Sequence, residues 1–133
     1  MVNEPLFRLL LDLEIHKAQR LRYTVSIVCF TTERSGVGNG QASIAESIAR
    51  RLRATDAVAM WTEGLVFFLL VDAETTHLPS ILERLTTRLQ TVSWSAGGSS
   101  YPRTAARAED MVRQAVDLHT RARNEGGNRL YVS

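Results

Sequence analysis

The sequence lacks the features that mark disulfide-rich, nucleic-acid-binding, membrane-spanning and secreted proteins. It has one cysteine, Cys29, which excludes a framework of internal disulfide bonds. Its formal net charge is only +2, too small by itself to indicate a nucleic-acid partner. Its apolar run at residues 9–13 contains Asp12 and lies between Arg8 and Glu14, so it is too short and too charged to span a membrane. No signal-peptide pattern opens the sequence, and we therefore expect a cytoplasmic protein.

What is present is typical of one globular domain over residues 1–133, with 44% hydrophobic and 23% charged residues. Of the 16 basic residues, Lys17 alone is a lysine and the rest are arginines. Arginine presents a planar fork of donors that fits phosphate groups and guanine edges. A surface rich in arginine therefore suits phosphorylated ligands.

The hydrophobic pattern predicts alternating helices and strands. Helices are predicted over residues 4–21 and 43–53, from near Pro79 to about residue 89, and over 105–125. Strands are predicted over residues 23–30, 57–61, 65–71, 90–100 and 128–132. After the first helix this order gives a β-α-β-β-α-β unit, followed by a helix and a strand. The pattern indicates an α+β domain of the ferredoxin-like type, with helices packed on a mixed, mostly antiparallel five-stranded sheet.

The segment RATDAVAMWTEGLVFFLLV, residues 53–71, predicts a tight hairpin with a polar tip. Gly64 would supply an unusual backbone angle in the turn. Arg53 and Asp56 precede the first strand at a spacing that can place both side chains on one side of a helix end. By itself this spacing favours a weak exposed ion pair, or an arginine that bonds to the last carbonyls of the helix.

Two other patterns are open to a functional and a structural interpretation. GVGNGQ, residues 36–41, lies between a predicted strand and helix, where phosphate-binding loops occur, but its spacing fits neither common glycine motif and favours a flexible connection. Trp61 and Trp94 fall on predicted strands, where packing explains them more simply than stacking on a base.

The remaining candidates for chemistry do not form a recognisable site. The three histidines, His16, His77 and His119, are far apart in the sequence and do not have the spacing of metal ligands. His16 and His119 lie on predicted helices, as surface or boundary residues. Cys29 ends an apolar strand, so we expect it to be buried rather than nucleophilic.

Several strings, in their order, resemble the GGDEF domain of diguanylate cyclases over nearly the whole chain. RRLRATDAVAMW resembles the passage before the signature hairpin, and ILERLTTRL resembles the helix after it. VSWSAGGSSYP and AEDMVRQAVDLHTRARNEGGNRLYV resemble the family's later strand, last helix and closing strand. The family joins two GTP molecules into cyclic di-GMP, and carboxylates of the first strand and the hairpin hold its metal ions.

This sequence departs from the family at the positions that carry the reaction. At the end of its first predicted strand, Thr31 and Thr32 follow Phe30 without the aspartate, and Gly64 and Leu65 occupy the positions of the two acidic signature residues. Glu63 is acidic but one position early. The loop that reads the substrate guanine is shorter and lacks its asparagine and aspartate, and Arg123 replaces a phosphate-binding lysine. The resemblance therefore implies a degenerate domain that is not an enzyme and holds no Mg²⁺.

The resemblance also gives Arg53-x-x-Asp56 a role, because in active members this pair forms an inhibitory site for the product. It implies a cyclic di-GMP site made of Arg53, Asp56 and Arg84, with Arg88 helping to neutralise phosphate. In that site the arginines would bond to phosphate or guanine O6 and N7, and the aspartate would accept from the guanine N1–H and exocyclic amine. The expected partner is a second copy or a protein effector, since the family often binds the ligand as a stacked pair between two surfaces.

Two other hypotheses are compatible with the same residues. The fold could serve as a dimerisation or interaction module that binds no nucleotide. Residual nucleotidyl chemistry is also conceivable, with Glu63 as a displaced metal ligand. We expect neither nucleic-acid binding nor membrane insertion in any of the three cases.

Overall fold

The computed structural model describes residues 2–33, 40–61, 64–87 and 93–133, and for residues 33 and 40–44 the backbone only. The helices are α1 (Glu4–Leu21), α2 (Gly40–Ala49), α3 (Leu78–Thr86) and α4 (Ala108–Asn124). The strands are β1 (Val25–Glu33), β2 (Ala57–Met60), β3 (Val66–Val71), β4 (Ser93–Tyr101) and β5 (Arg129–Val132). A short 3-10 turn over Thr75–His77 leads into α3.

The described strands form one five-stranded sheet in the order β2-β3-β1-β4-β5. β1 lies in the middle and pairs antiparallel with both β3 and β4. β2 pairs antiparallel with β3, while β5 pairs parallel with β4. The predicted ferredoxin-like α+β fold, with a mixed and mostly antiparallel five-stranded sheet, is therefore confirmed.

Each face of the sheet is covered by a pair of helices over its own apolar core. On one face, α1 and α4 pack against the sheet through residues such as Phe7, Leu11 and Met111. On the other face, α2 and α3 pack through residues such as Ile48, Leu78 and Leu82. Successive residues of a strand point to opposite faces, so the uninterrupted apolar runs of β1 and β3 are explained by burial on both sides.

The start of α1 and the end of α4 carry the end signals that the sequence indicated, whereas α4 begins at Ala108 and not at residue 105 as predicted. The side chain of Asn3 accepts a hydrogen bond from the Leu6 amide at 3.0 Å, and Pro5 occupies the first turn of α1. At the end of α4, Gly126 and Gly127 have positive φ angles of 109° and 75°, which glycine adopts without strain. Helix α1 coincides with its predicted range, and α4 ends where the two glycines were predicted to stop it.

Helix α2 differs from its prediction at both ends. It begins at Gly40 and ends at Ala49, whereas the sequence pattern predicted residues 43–53. Turns over residues 50–55 follow it, so Arg53 lies in a connecting loop and not at a helix end. The interpretation of Arg53 as a cap for the last carbonyls of the helix is therefore wrong.

The burial of His119 also differs from its prediction as a surface or boundary residue. Its side chain is buried, and its Nε2 lies 2.6 Å from the hydroxyl oxygen of Thr31. The close approach of α4 to β4 explains this, because a Cβ built on Gly97 would lie 2.2 Å from the Ala115 carbonyl oxygen. Without a side chain at residue 97, the helix lies close enough to β4 for His119 to reach β1.

Candidate functional site

The Asp56 carboxylate links the loop that precedes β2 to the last residue of β3. One carboxylate oxygen, Oδ1, accepts a hydrogen bond from the Val71 amide at 3.0 Å, at the last residue of β3. The other, Oδ2, accepts from the Arg53 amide at 3.2 Å. The Asp56 amide in turn donates to the Arg53 carbonyl at 2.9 Å, which closes a turn. The Asp56 side chain is only 4% exposed, and these contacts compensate for the cost of burying its carboxylate.

Arg53 is held by the same contacts but faces solvent. Its Nε lies 3.4 Å from Oδ2 of Asp56, and its Nη2 donates to the Val71 carbonyl. The Arg53 side chain is nevertheless 62% exposed. A guanidinium has five N–H donors, and these two contacts leave three of them, on Nη1 and Nη2, for another acceptor. The outer edge of the fork is therefore fixed in direction and accessible.

This loop and α3 both line a cleft of about 1160 Å³ at the base of the hairpin. We refer to it as the hairpin-base cleft. Its charged and histidine residues are Arg51, Arg53, Asp56, Asp72, His77, Glu83 and Arg84. Three of the four predicted ligand-binding residues, Arg53, Asp56 and Arg84, thus line one cleft, and the fourth, Arg88, lies outside the described residues.

The cleft carries mixed charge, with cationic side chains on the loop and on α3. Arg84 is exposed on α3 and lines the same cleft as Arg53. Arg51 lines the same cleft and donates through Nη1 to the carbonyl and hydroxyl oxygens of Ser47, at 3.4 and 3.2 Å. Asp72 and Glu83 are exposed acidic residues of the cleft. The arrangement suits a ligand that combines anionic groups with hydrogen-bond donors.

At the opposite end of the hairpin, the described residues make a turn. Gly64 has a φ of 80°, as the sequence predicted, and its amide donates to the Trp61 carbonyl at 2.9 Å. Trp61 is buried and stacks on Phe67, with ring centroids 3.9 Å apart. Thr62 and Glu63 lie outside the described residues, so the hypothesis of a displaced metal ligand at Glu63 stays a hypothesis.

The end of β1 carries a neutral polar pair. Thr31 and His119 share a buried hydrogen bond, and burial together with the nearby charge of Arg123 lowers the pKa of His119 below its ordinary value. Among the described residues, no three histidine, cysteine, aspartate or glutamate side chains come together where they could hold a metal ion. Within the same residues, no helix is both long and apolar enough to cross a membrane.

Sequence reasoning missed two features of these sites. The first is the backbone of Val71, whose amide and carbonyl both contact the Arg53–Asp56 pair; no side chain marks such a partner in a sequence. The second is the contact between Thr31 and His119, which are 88 residues apart. The double glycine at residues 97 and 98 was the available signal, since glycine in a strand often marks close approach of another backbone.

The whole architecture matches solved structures closely despite low sequence identity. The GGDEF domain of YfiN from Pseudomonas aeruginosa superposes with a TM-score of 0.91 at 17% identity, over 100% of this chain and 96% of that one. The chain has the fold of a GGDEF domain. A microbial GGDEF domain studied for its interaction with cyclic di-GMP gives a TM-score of 0.84 at 19% identity, over 99% of this chain and 94% of that one.

A third GGDEF-fold neighbour was also solved with this ligand. It is the GGDEF domain of DgcB from Caulobacter crescentus in complex with cyclic di-GMP, with a TM-score of 0.86 at 13% identity, over 99% of this chain and 88% of that one. No protein-family model matches the sequence, and no curated protein does either. The GGDEF fold of this chain is therefore evident from its architecture, although its sequence is less than 20% identical to these neighbours.

Proposed function

We propose that this chain is a GGDEF-fold domain that binds cyclic di-GMP in the hairpin-base cleft and does not synthesise it. The observation that carries the proposal is the Arg53 guanidinium, which two partners hold in place with its outer edge exposed to the cleft. An arginine held in this way can bond to two phosphate oxygens, or to guanine O6 and N7, with little further loss of side-chain freedom.

The dimensions of the cleft and the arginine that α3 contributes to it support the same ligand. Its volume of about 1160 Å³ exceeds the roughly 300–1,000 Å³ common for drug-sized ligands, which leaves room for a cyclic dinucleotide. Arg84 lies on α3 and lines the cleft together with Arg53, so the two guanidiniums could contact different parts of one ligand. Two GGDEF-fold neighbours have been studied with cyclic di-GMP.

The proposal that the domain is degenerate depends on the residues at the positions where the family resemblance implies metal-binding carboxylates. Thr31 and His119 form a neutral, buried hydrogen bond at the end of β1, the region where the family resemblance requires a metal-binding aspartate. Glycine and leucine occupy positions 64 and 65, where the resemblance requires carboxylates. Hydroxyl, imidazole and aliphatic groups do not supply the hard anionic oxygens that Mg²⁺ prefers. We therefore propose no Mg²⁺ site and no cyclase activity.

Isothermal titration calorimetry with cyclic di-GMP tests the proposal. The wild-type domain should bind the ligand with micromolar or tighter affinity, and Arg53→Ala should weaken binding strongly. Arg113→Ala is a matched control, because Arg113 is also an exposed arginine paired with an aspartate three residues away but lies outside the cleft. Its affinity should equal that of the wild type.

A wild-type domain that gives no binding heat at high ligand concentration would overturn the proposal. Equal losses in Arg53→Ala and Arg113→Ala would show that binding depends on charge in general and not on the cleft. Incubation with GTP and Mg²⁺, followed by chromatography, should give no cyclic di-GMP, and any product would contradict the proposed loss of activity.

A second candidate function, dimerisation through α1, is favoured by a row of exposed leucines on this helix. Leu6, Leu9 and Leu13 are 42%, 53% and 56% exposed and follow the a and d spacing of a coiled coil. They lie on the outer face of the helix, since Phe7 and Leu11 face the core. We define Leu6, Leu9 and Leu13 as the α1 outer face, and its fitting partner is a second copy of this chain.

Charge complementarity favours that partner. In the same heptad numbering Asp12 takes a g position and Lys17 an e position, where oppositely charged residues of two parallel helices meet. Sedimentation of the wild type over a range of concentrations should reveal a weak dimer that Leu9→Glu abolishes. Leu21→Glu is the control, because Leu21 is 57% exposed on the same helix but lies off this row. A monomer at all concentrations, or equal effects of both variants, would exclude the α1 outer face as the interface.

A further inference from the structure

The carboxylate of Asp56 is already fully engaged within the protein. Its Oδ1 accepts from the Val71 amide at 3.0 Å, and its Oδ2 accepts from the backbone amide and Nε of Arg53 at 3.2 and 3.4 Å. The side chain is 4% exposed, so almost none of it faces the cleft. The Arg53 side chain beside it is 62% exposed. The two residues of the motif therefore differ sharply in access to a ligand.

A carboxylate that reads guanine needs accessible oxygens, because it must accept from N1–H and the exocyclic amine together. Asp56 could do so only by rotating away from Val71 and the Arg53 amide. That movement would break the hydrogen bonds from the Arg53 amide and from the partly buried Val71 amide, and leaving the Val71 amide without an acceptor is costly. The geometry thus argues against the expectation, from family resemblance, that the aspartate contacts the base.

We infer that Asp56 is a positioning residue, which fixes the fork of Arg53 toward the cleft and ties β2 to β3 without contacting the ligand. The inference rests on the proposed function, since it assigns roles within the same cyclic di-GMP site. Oδ2 of Asp56 bonds to Nε of Arg53 and so orients it. Oδ1 of Asp56 holds the amide of Val71, and the carbonyl of Val71 accepts a hydrogen bond from Nη2 of Arg53. Asp56 and Val71 together hold both the near edge of the guanidinium and the backbone that supports it.

This arrangement predicts how the site discriminates between ligands with and without the exocyclic amine of guanine. If Asp56 does not accept from the exocyclic amine, removing that amine from the ligand should change the affinity by the same factor in the wild type and in a variant without the Asp56 carboxylate. The inosine counterpart of cyclic di-GMP provides this comparison, because it lacks the amine but keeps O6, N7 and both phosphates. Arg53 can bond to all of those retained acceptors.

The experiment compares both ligands on the wild type and on Asp56→Asn by calorimetry, with thermal unfolding of each protein. In Asp56→Asn both affinities should fall by the same factor, roughly 3-fold to 10-fold, because Arg53 is no longer immobilised before binding. The ratio of the two affinities should stay within about twofold of the wild-type ratio, which is close to the error of such titrations. The unfolding temperature should fall by several degrees, because asparagine keeps only one of the two acceptor oxygens that the Val71 and Arg53 amides use.

Asp72→Asn is the matched control for losing one negative charge from the cleft, because Asp72 is an exposed aspartate lining the same cleft. It should leave the unfolding temperature unchanged. The inference is overturned if Asp56→Asn lowers affinity for cyclic di-GMP alone and brings the two ligands to equal affinity. It is also overturned if Asp56→Asn unfolds at the wild-type temperature. A wild type that binds neither ligand contradicts the proposed function instead, so the two failures are distinguishable.

Discussion

The hydroxyl oxygen of Thr31 lies 2.6 Å from Nε2 of His119, across 88 residues of sequence and with both side chains buried. Burial and the charge of Arg123 lower the pKa of this histidine, so the folded protein holds it neutral at a pH where the unfolded chain would begin to protonate it. Thr31 and His119 therefore couple the stability of the domain to pH.

The sign of this coupling gives the first prediction. The unfolded chain takes up a proton near the ordinary pKa of 6.5, while the folded state takes it up only at lower pH, so the free energy of unfolding falls as the pH drops below 6.5. One such proton contributes a slope of at most about 1.4 kcal/mol per pH unit. Urea unfolding at a series of pH values should show that His119→Gln reduces this slope. His16→Gln, at an exposed position, is the control for removing a histidine.

A second prediction concerns the contact between α4 and β4. A Cβ at Gly97 would lie 2.2 Å from the Ala115 carbonyl oxygen and 2.3 Å from the His119 amide nitrogen, and neither backbone atom can move alone. Gly97→Ala should therefore destabilise the domain by about 3 kcal/mol or more, at or above the upper end for overpacked cores. At Gly98 the nearest atom, 2.7 Å away, ends the Leu78 side chain, so Gly98→Ala should cost less. Equal costs in chemical denaturation would contradict this account of the packing.

The third prediction tests the arginine that α3 contributes to the hairpin-base cleft. If Arg84 bonds to a phosphate of cyclic di-GMP, Arg84→Ala should weaken binding on the order of tenfold, as expected for a charge-assisted hydrogen bond. The affinity of the wild type should also decrease with rising salt, and the variant should show a shallower dependence. Calorimetry at two salt concentrations measures both effects. Unchanged affinity in Arg84→Ala would remove α3 from the site.

A fourth prediction concerns the single cysteine. Cys29 lies fully buried in the middle of β1, and burial raises the pKa of its thiol above the ordinary value. Reaction with a thiol reagent such as Ellman's reagent should be very slow in buffer and fast in denaturant. Because the thiolate is the reactive form, raising the pH to 9 should accelerate it little as long as the protein stays folded. Rapid labelling of the native protein would show that β1 opens more easily than its burial implies.

Much of the fold could be predicted because local sequence and tertiary packing agree. The apolar runs of β1 and β3, the Asn3 cap of α1 and the glycines after α4 all act over a few residues. The prediction that Cys29 is buried is confirmed. The predicted end of α2 at residue 53 was wrong, because no glycine or proline follows Ala49 and residues 50–53 are themselves good helix formers.

The candidate site was less accessible to prediction, because its contacts depend on backbone groups and on distant pairs. The sequence pointed to Arg53 and Asp56, but only the fold reveals that the Arg53 side chain is exposed and that the Asp56 side chain is buried beside Val71. His119 was assigned to the surface or its boundary, because its place in the helical pattern gives no indication of how closely α4 approaches Gly97. Arg51 became a candidate only when the cleft could be seen.

The hairpin itself has a consequence for how such a domain can evolve. Strand β3 spans Val66–Val71, which separates the turn from the base by roughly 17 Å at the rise of an extended strand, and five of its six residues are buried. Acidic residues could be lost from the tip without altering the loop at the other end, where Asp56 and Val71 maintain their own contacts. Substitutions at the tip of the hairpin could therefore remove the synthesis of cyclic di-GMP while the base of the hairpin still binds it. The strands between the tip and the base would not have to change.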